Sequence, residues 1–232
     1  MMIKKFLYFI KIIVNKIIIG PFKYGKGNDY DASKYWHDRF SKYSFSLKGS
    51  GVERLSEKEN EDMYLEFSKT LMDICKKQNI DFTNINILEI GCGNGYWTQF
   101  LQDLGIKKYV GVDITDVLFP VLKKRYPNFK FLKKDITIDT IDGRFDLIFM
   151  IDIILHITTE SKFSSTMENI KNCLSEGGVC IISNIMNTHK KRFFYLQDWS
   201  IKDVKQRFPG YIFSKPYPFR ETYILTIRKP PS

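Results

Sequence analysis

Cysteine is scarce in this chain and forms no motif. Cys75, Cys92, Cys173 and Cys180 are the four cysteines among 232 residues, and no two stand as a C-x-x-C pair. That spacing argues against a zinc site or a thiol redox motif, so no metal is expected. Thiols so placed in an enzyme-sized chain fit a reducing compartment, and a cytoplasmic location is expected. Histidine occurs only at His37, His156 and His189. Long apolar runs are missing too. The most apolar stretch, MMIKKFLYFIKIIVNKIIIG, is interrupted by Lys4, Lys5, Lys11 and Lys16, and never approaches the roughly 20 residues of a membrane span. It also lacks the clean apolar centre and the small-residue cleavage site of a secretory signal. Internal repeats and low-complexity segments are absent.

What is present suits a packed domain. Apolar residues make up 44% and aromatics 15% of the chain, enough to exclude a disordered chain and to fit one domain with an extension. The formal charge of +10 sits at the two ends: residues 1–30 carry six Lys against one Asp, and residues 189–232 carry ten Lys/Arg against three acids. A uniformly basic nucleic-acid binder would not be distributed this way, so a nucleic-acid partner is not expected. Wound as a helix, residues 1–20 gather the four lysines and Asn15 within an arc of about 140°. Phe6, Leu7, Phe9, Ile10, Ile13, Val14 and Ile17 lie opposite. Such a basic, amphipathic helix fits a membrane interface through residues 1–19, and equally a helix docked on its own domain or on a second subunit. Gly20-Pro21 is expected to end it. Residues 21–78 read as a linker and a helical lid: YGKGNDYD (24–31), a helix over 32–43, and a helix over 56–78 opened by the capping box Ser56/Glu59.

From residue 79 onward, strands expected at 85–90, 109–113, 129–134, 145–151, 179–184 and 222–227 alternate with helices at 96–104, 116–126, 160–175 and 200–207. Continuous apolar strands alternating with helices predict an α/β fold with a mostly parallel sheet covered on both faces. The tail has no helix between its last two strands and predicts an antiparallel hairpin closing the sheet.

The stretch NILEIGCGNGYWTQFL places Gly91, Gly93 and Gly95 where a buried strand passes into a helix. Glycines there serve unusual torsions or the close approach of a ligand at the carboxyl ends of the strands. The dinucleotide fingerprint needs a further glycine at position 96, where this chain has Tyr96, which weakens a nicotinamide-dependent oxidoreductase. The pattern is instead E-x-G-x-G-x-G, opened by Glu89. Asp113 ends the next expected strand, where an acid can take both hydroxyls of a ribose. Asp135 follows the third strand.

These motifs, in register over 85–184, resemble the class I S-adenosylmethionine-dependent methyltransferases, in particular the small-molecule, ubiquinone-biosynthesis-type branch. The resemblance implies a Rossmann-like, seven-stranded, mostly parallel sheet with an antiparallel last strand, an N-terminal helical extension, and a catalytic domain over 79–232. It implies S-adenosyl-L-methionine as cofactor. By the same resemblance Glu89, Gly91, Cys92, Gly93, Asn94 and Gly95 form the glycine turn at the donor's amino-acid part. Asp113 and Ile114 meet its ribose, and Asp135 and Ile136 its adenine. Met150 to His156 face the sulfonium and the acceptor, and an N-terminal helix carrying Trp36 and Arg39 covers the donor. The entry segment YDASKYWHDRF also looks like that of bacterial relatives linked to surface glycan synthesis.

His156 and Asp152 are the expected catalytic pair. A hydroxyl acceptor must lose a proton during attack, and a His titrating near neutrality can take it; bracing the loop is the alternative role for His156. The expected activity is O-methylation of a small-molecule or glycan-type acceptor, conceivably at a membrane surface. RNA methylation and a non-catalytic donor-binding protein are the rivals. Base-methylating adenine enzymes carry an Asn/Asp-Pro-Pro-aromatic motif after the fourth strand, whereas Ile151-Asp152-Ile153-Ile154 stands here, without proline.

Overall fold

Alternating residues of the central strands feed two different cores, one on each face of the sheet. The computed structural model describes residues 14–231. On β1 (Asn86–Ile90), Ile87 joins one core and Leu88 and Ile90 the other. On β4 (Phe145–Met150), Leu147 and Phe149 face one way and Ile148 and Met150 the other. Burial on both faces explains why these strands read as unbroken apolar runs.

Eight α-helices are described: α1 Gly20–Tyr24, α2 Ala32–Tyr43, α3 Leu47–Ser50, α4 Glu57–Lys77, α5 Tyr96–Asp103, α6 Phe119–Arg125, α7 Glu160–Cys173 and α8 Ile201–Arg207. The remaining strands are β2 Lys108–Asp113, β3 Lys130–Lys133, β5 Leu174–Ile185, β6 Lys190–Phe193, β7 Leu196–Asp198, β8 Ile212–Phe213, β9 Tyr217–Phe219 and β10 Thr222–Arg228. Helices α4, α5 and α6 contribute Phe67, Leu71, Leu101 and Leu122 to one face, while α7 and α8 contribute Phe163, Met167 and Val204 to the other. The capping box at α4 is formed, with Ser56 and Glu59 exchanging side-chain and backbone hydrogen bonds.

The main sheet runs β3-β2-β1-β4-β5-β10-β8, with β9 also pairing with β10. Strands β1 to β5 are parallel, and β10 is antiparallel to β5, β8 and β9. The sheet therefore has eight strands where seven were expected. The extra strand comes from Pro216, between β8 and β9: proline has no N–H for the ladder, so one edge strand is divided into two short ones. The order reverses at β1/β4, which opens a crevice at the carboxyl ends of these strands.

Two further departures lie outside the sheet. Gly20-Pro21 does not end the N-terminal helix. A wide π-turn over Asn15–Ile19 leads into α1 with Pro21 in its first turn, and the helical path continues to Tyr24. The wider turn accommodates a ring that would clash in a regular helix. Most of the expected helix over 1–20 lies outside the described residues. The second departure is the β6–β7 hairpin, a separate two-stranded sheet that the charged run Lys190, Lys191, Arg192 concealed. Among the described residues no helix is long and apolar enough to cross a membrane.

Candidate active site

A cavity open to solvent on one side, about 1040 Å³ with the solvent at its mouth included, occupies the crevice at the carboxyl ends of β1, β2 and β4. Its floor is the turn between β1 and α5. Gly93 has φ +47°, a left-handed conformation that penalises side chains, and a Cβ there would stand 3.1 Å from the Phe40 ring. At Gly91 and Gly95 the obstruction comes from the protein itself: a Cβ would meet Ile153 at 2.1 Å and Leu122 at 2.5 Å. All three glycines are thus kept bare by torsion and by packing against the protein, Gly93 facing the Phe40 ring that also lines the cavity. Gly91, Cys92, Gly93 and Asn94 line the cavity, and Gly95 caps α5 behind it. Burial pushes the Cys92 thiol well above its ordinary pKa, so it is a space-filling, unreactive group.

Asp113, at the end of β2, is joined to this floor. Its Oδ2 accepts the Gly93 N–H at 2.9 Å and its Oδ1 the Thr115 N–H at 3.1 Å. Burial raises its pKa to about 6, against the lowering effect of those backbone donors, so at neutral pH it is a carboxylate with lone pairs left for a ligand. Ile114 beside it and Ile136 after β3 are apolar walls of the same cavity. Asp135 lines it too, with Oδ1 accepting from the Thr137 backbone and hydroxyl at 2.9 and 2.7 Å.

Glu89 is buried beneath the turn and does not line the cavity. Its Oε2 accepts from the hydroxyls of Thr98 and Tyr109, while Oε1 has no partner. Burial raises its pKa to about 8. Met150 is likewise displaced from its expected place: its side chain is fully buried in the core shared with α7.

The cover is aromatic. Trp36 and Phe40 from α2, Tyr64 from α4, and Tyr96 and Trp97 from α5 line the cavity. Apart from Trp36, these read as ordinary core positions in the sequence, and only their proximity to a glycine turn could have marked them. Arg39 does not reach the cavity. Its guanidinium donates to the carbonyls of Gly49, Lys48 and Gly51 at 2.6, 3.0 and 2.8 Å and to the Tyr35 hydroxyl at 3.1 Å, fastening α3 to α2.

Asp152 and His156 line the opposite end. Asp152 adopts φ +56°, and its Oδ1 accepts from Ser183 Oγ at 2.9 Å and Asn184 Nδ2 at 3.1 Å. Burial raises its pKa. His156 Nδ1 lies 3.2 Å from the Tyr195 carbonyl oxygen, so Nδ1 carries the proton and Nε2 is the free acceptor. Burial lowers its pKa to about 3, with the nearby Arg39 charge acting in the same direction. The imidazole is thus neutral at physiological pH.

The arrangement suits an adenosyl ligand: a carboxylate for vicinal hydroxyls, isoleucine side chains for an apolar ring and an aromatic cover on one side. The family model for a methyltransferase domain matches residues 87–178. The 235L protein of Invertebrate iridescent virus 6, named as a methyltransferase, is 29% identical over 48% of this chain and 47% of its own length. The human eEF1A lysine and N-terminal methyltransferase is 29% identical over 40% of this chain and 14% of its own. The chain thus spans less than half the length of these relatives. Among solved structures, an S-adenosylmethionine-dependent methyltransferase from Clostridium acetobutylicum superposes with a TM-score of 0.63 at 15% identity, over 82% of this chain and 99% of that one. The N-methyltransferase NodS from Bradyrhizobium japonicum gives 0.59 at 15% identity, over 73% and 97%. The fold is that of the class I, Rossmann-like methyltransferases.

Proposed function

We propose that this chain, with its class I methyltransferase domain, is an S-adenosylmethionine-dependent methyltransferase acting on a small acceptor held at the ends of β4 and β5. The observation that carries the reading is the Asp113 carboxylate, tied to the bare Gly93 N–H and set in a covered cavity. When bound, S-adenosylmethionine supplies a methyl group already activated on a sulfonium. Asp113 would accept the ribose hydroxyls with Ile114 beside it, Asp135 and Ile136 would meet the adenine, and the Gly91–Asn94 turn would hold the amino-acid end. Trp36 and Phe40 would cover the bound donor on one side. What remains for the chain is alignment of acceptor and methyl group, and holding two reactants in line is worth roughly 7–11 kcal/mol.

Within the class, the motifs in register over 85–184, the E-x-G-x-G-x-G turn among them, favour the small-molecule, ubiquinone-biosynthesis-type branch. A hydroxyl acceptor, of glycan type, is the reading that the sequence favours. It requires a base for the released proton, and an imidazole with a pKa near 3 is a weak one. Contact with a membrane surface through residues 1–19 is a further part of the reading, supported by exposed Ile17, Ile18 and Ile19.

Calorimetric titration with S-adenosylhomocysteine tests the donor site. The parent is expected to bind it, and Asp113→Ala and Gly93→Val each to weaken binding by tenfold or more, about 1.4 kcal/mol. Unchanged affinity in both variants, or preferential binding of NADH, would sink the assignment.

A further inference from the structure

Two polar atoms at the acceptor end of the cavity have no partner among the described residues, and both can only accept. One is Asp152 Oδ2, since Oδ1 alone takes the Ser183 and Asn184 donors. The other is His156 Nε2, since Nδ1 donates to the Tyr195 carbonyl. The unpartnered hydroxyls of Tyr30 and Thr158, residues that also line the cavity, can donate as well as accept, which sets these two atoms apart from them. The wall beside them is aromatic, with the Trp36 ring 4.8 Å from the imidazole and perpendicular to it. The Arg39 guanidinium, the cation that acts on His156, has its donors committed to carbonyls of the 48–51 segment and to Tyr35. It lies 5.3 Å over the Trp36 ring, which leaves the ring's other face for a ligand. Arg220, the cation that acts on Asp152, pairs with Glu66.

The acid is held with unusual care. Asp152 and Asn184 stand at the ends of adjacent strands, both in the left-handed region at φ +56° and +63°, and hydrogen-bonded to each other. Asp and Asn tolerate that conformation better than other non-glycine residues, and here the Asn184–Asp152 hydrogen bond holds the two in place. A carboxylate oxygen, an imidazole lone pair and an aromatic face together complement a group that carries N–H bonds and positive charge. A carboxylate, phosphate or ketone placed against these two atoms would meet lone pairs, and would have to turn to the Thr158 hydroxyl or the Lys162 ammonium elsewhere in the lining for a donor.

We propose that the methyl acceptor is an amine, which enters as its ammonium ion, is recognised by Asp152 Oδ2, His156 Nε2 and the Trp36 face, and is methylated on nitrogen. The proposal rests on the donor reading above. The ammonium first passes one N–H proton to the Asp152 carboxylate and from there to solvent. The freed nitrogen lone pair then forms the N–C bond as the methyl–sulfur bond breaks, and sulfur keeps the electron pair of that bond. The product leaves as the methylated ammonium ion, and no second proton has to be removed in the transfer step. Burial keeps the Asp152 carboxyl above the usual carboxylate range, which suits a transient proton acceptor, and keeps His156 neutral, so that it does not repel the cation.

The test uses the full chain saturated with S-adenosylhomocysteine and titrated calorimetrically with benzylammonium, benzyl alcohol and benzoate. Benzylammonium is expected to bind at least tenfold more tightly than the other two. Asp152→Asn suits the left-handed backbone and still accepts from Ser183. It is expected to lose tenfold or more in benzylammonium affinity while S-adenosylhomocysteine affinity stays within twofold. Should that variant fail to fold, Trp36→Leu is expected to lose most of the preference for the ammonium ion. Benzyl alcohol or benzoate binding as tightly as benzylammonium, no benzylammonium binding at all, or an Asp152→Asn or Trp36→Leu variant with the parent's preference would each overturn the proposal. Failure of S-adenosylhomocysteine itself to bind would instead count against the donor reading, so the two failures are distinguishable.

Discussion

Glu89 shows how far a single side chain can depart from what its position in a motif suggests. The glycine motif places it near the donor, yet strand alternation turns it beneath the turn, where only Thr98 and Tyr109 reach it. Which way one strand residue points depends on where the core lies, and a lone polar residue in an apolar run does not show that. Its pKa of about 8 against an unfolded value near 4.5 means that the folded chain holds a proton across this window and the unfolded chain does not. Stability from this group is therefore lost as pH rises from about 4.5 to 8, by up to about 1.4 kcal/mol per pH unit. Asp113, at about 6, acts with the same sign below pH 6. His156 acts with the opposite sign between about 3 and 6.5, because only the unfolded chain is protonated there. The difference between parent and Glu89→Gln isolates the first effect. Denaturant unfolding at several pH values is expected to show the variant gaining on the parent steadily from pH 4.5 to 8, and a difference constant with pH would refute the assigned burial cost.

The sequence makes the elements of the sheet legible and leaves their accessories hidden. Strands such as FDLIFM announce themselves by continuous apolar residues, and the capping box marks where α4 starts to within a residue. The β6–β7 hairpin carries no such signature, because its first strand is three basic residues followed by Phe193, and its register against β7 is irregular. Arg39 was equally opaque. Helical spacing places it beside Trp36, and the family resemblance implies a ligand contact, whereas its partners are carbonyls that a loop brings back from ten or so residues onward. Its task is to fasten α3 against α2, the helix that carries Trp36 and Phe40 over the cavity. Arg39→Met leaves three carbonyls without that donor and is expected to cost about 1–3 kcal/mol in denaturant unfolding. A loss below about 0.5 kcal/mol, the usual scatter of surface substitutions, would show that the clamp is dispensable.

On the scale of the whole molecule, the two basic ends of the chain come together. Lys16 Nζ lies 5.0 Å from the centre of the Phe193 ring, and Tyr24 stacks on Phe194. Ile17, Ile18 and Ile19 stand out from this junction, and Phe22 is 94% exposed. Apolar side chains beside basic residues favour an anionic lipid surface, so full-length protein is expected to float with vesicles containing phosphatidylserine. The Ile18→Asp, Phe22→Asp double variant is expected to float several-fold less, and equal flotation would exclude this surface from lipid contact. The hairpin at the junction has one more effect. The tautomer of His156 is fixed by a main-chain oxygen of residue 195, which every amino acid possesses. Exchanging that tyrosine for another residue leaves the imidazole facing the same way. Adding or deleting one residue in the hairpin would rotate the oxygen away and let the ring turn over, so it is loop length, more than side-chain identity, that governs what this end of the cavity offers an incoming molecule.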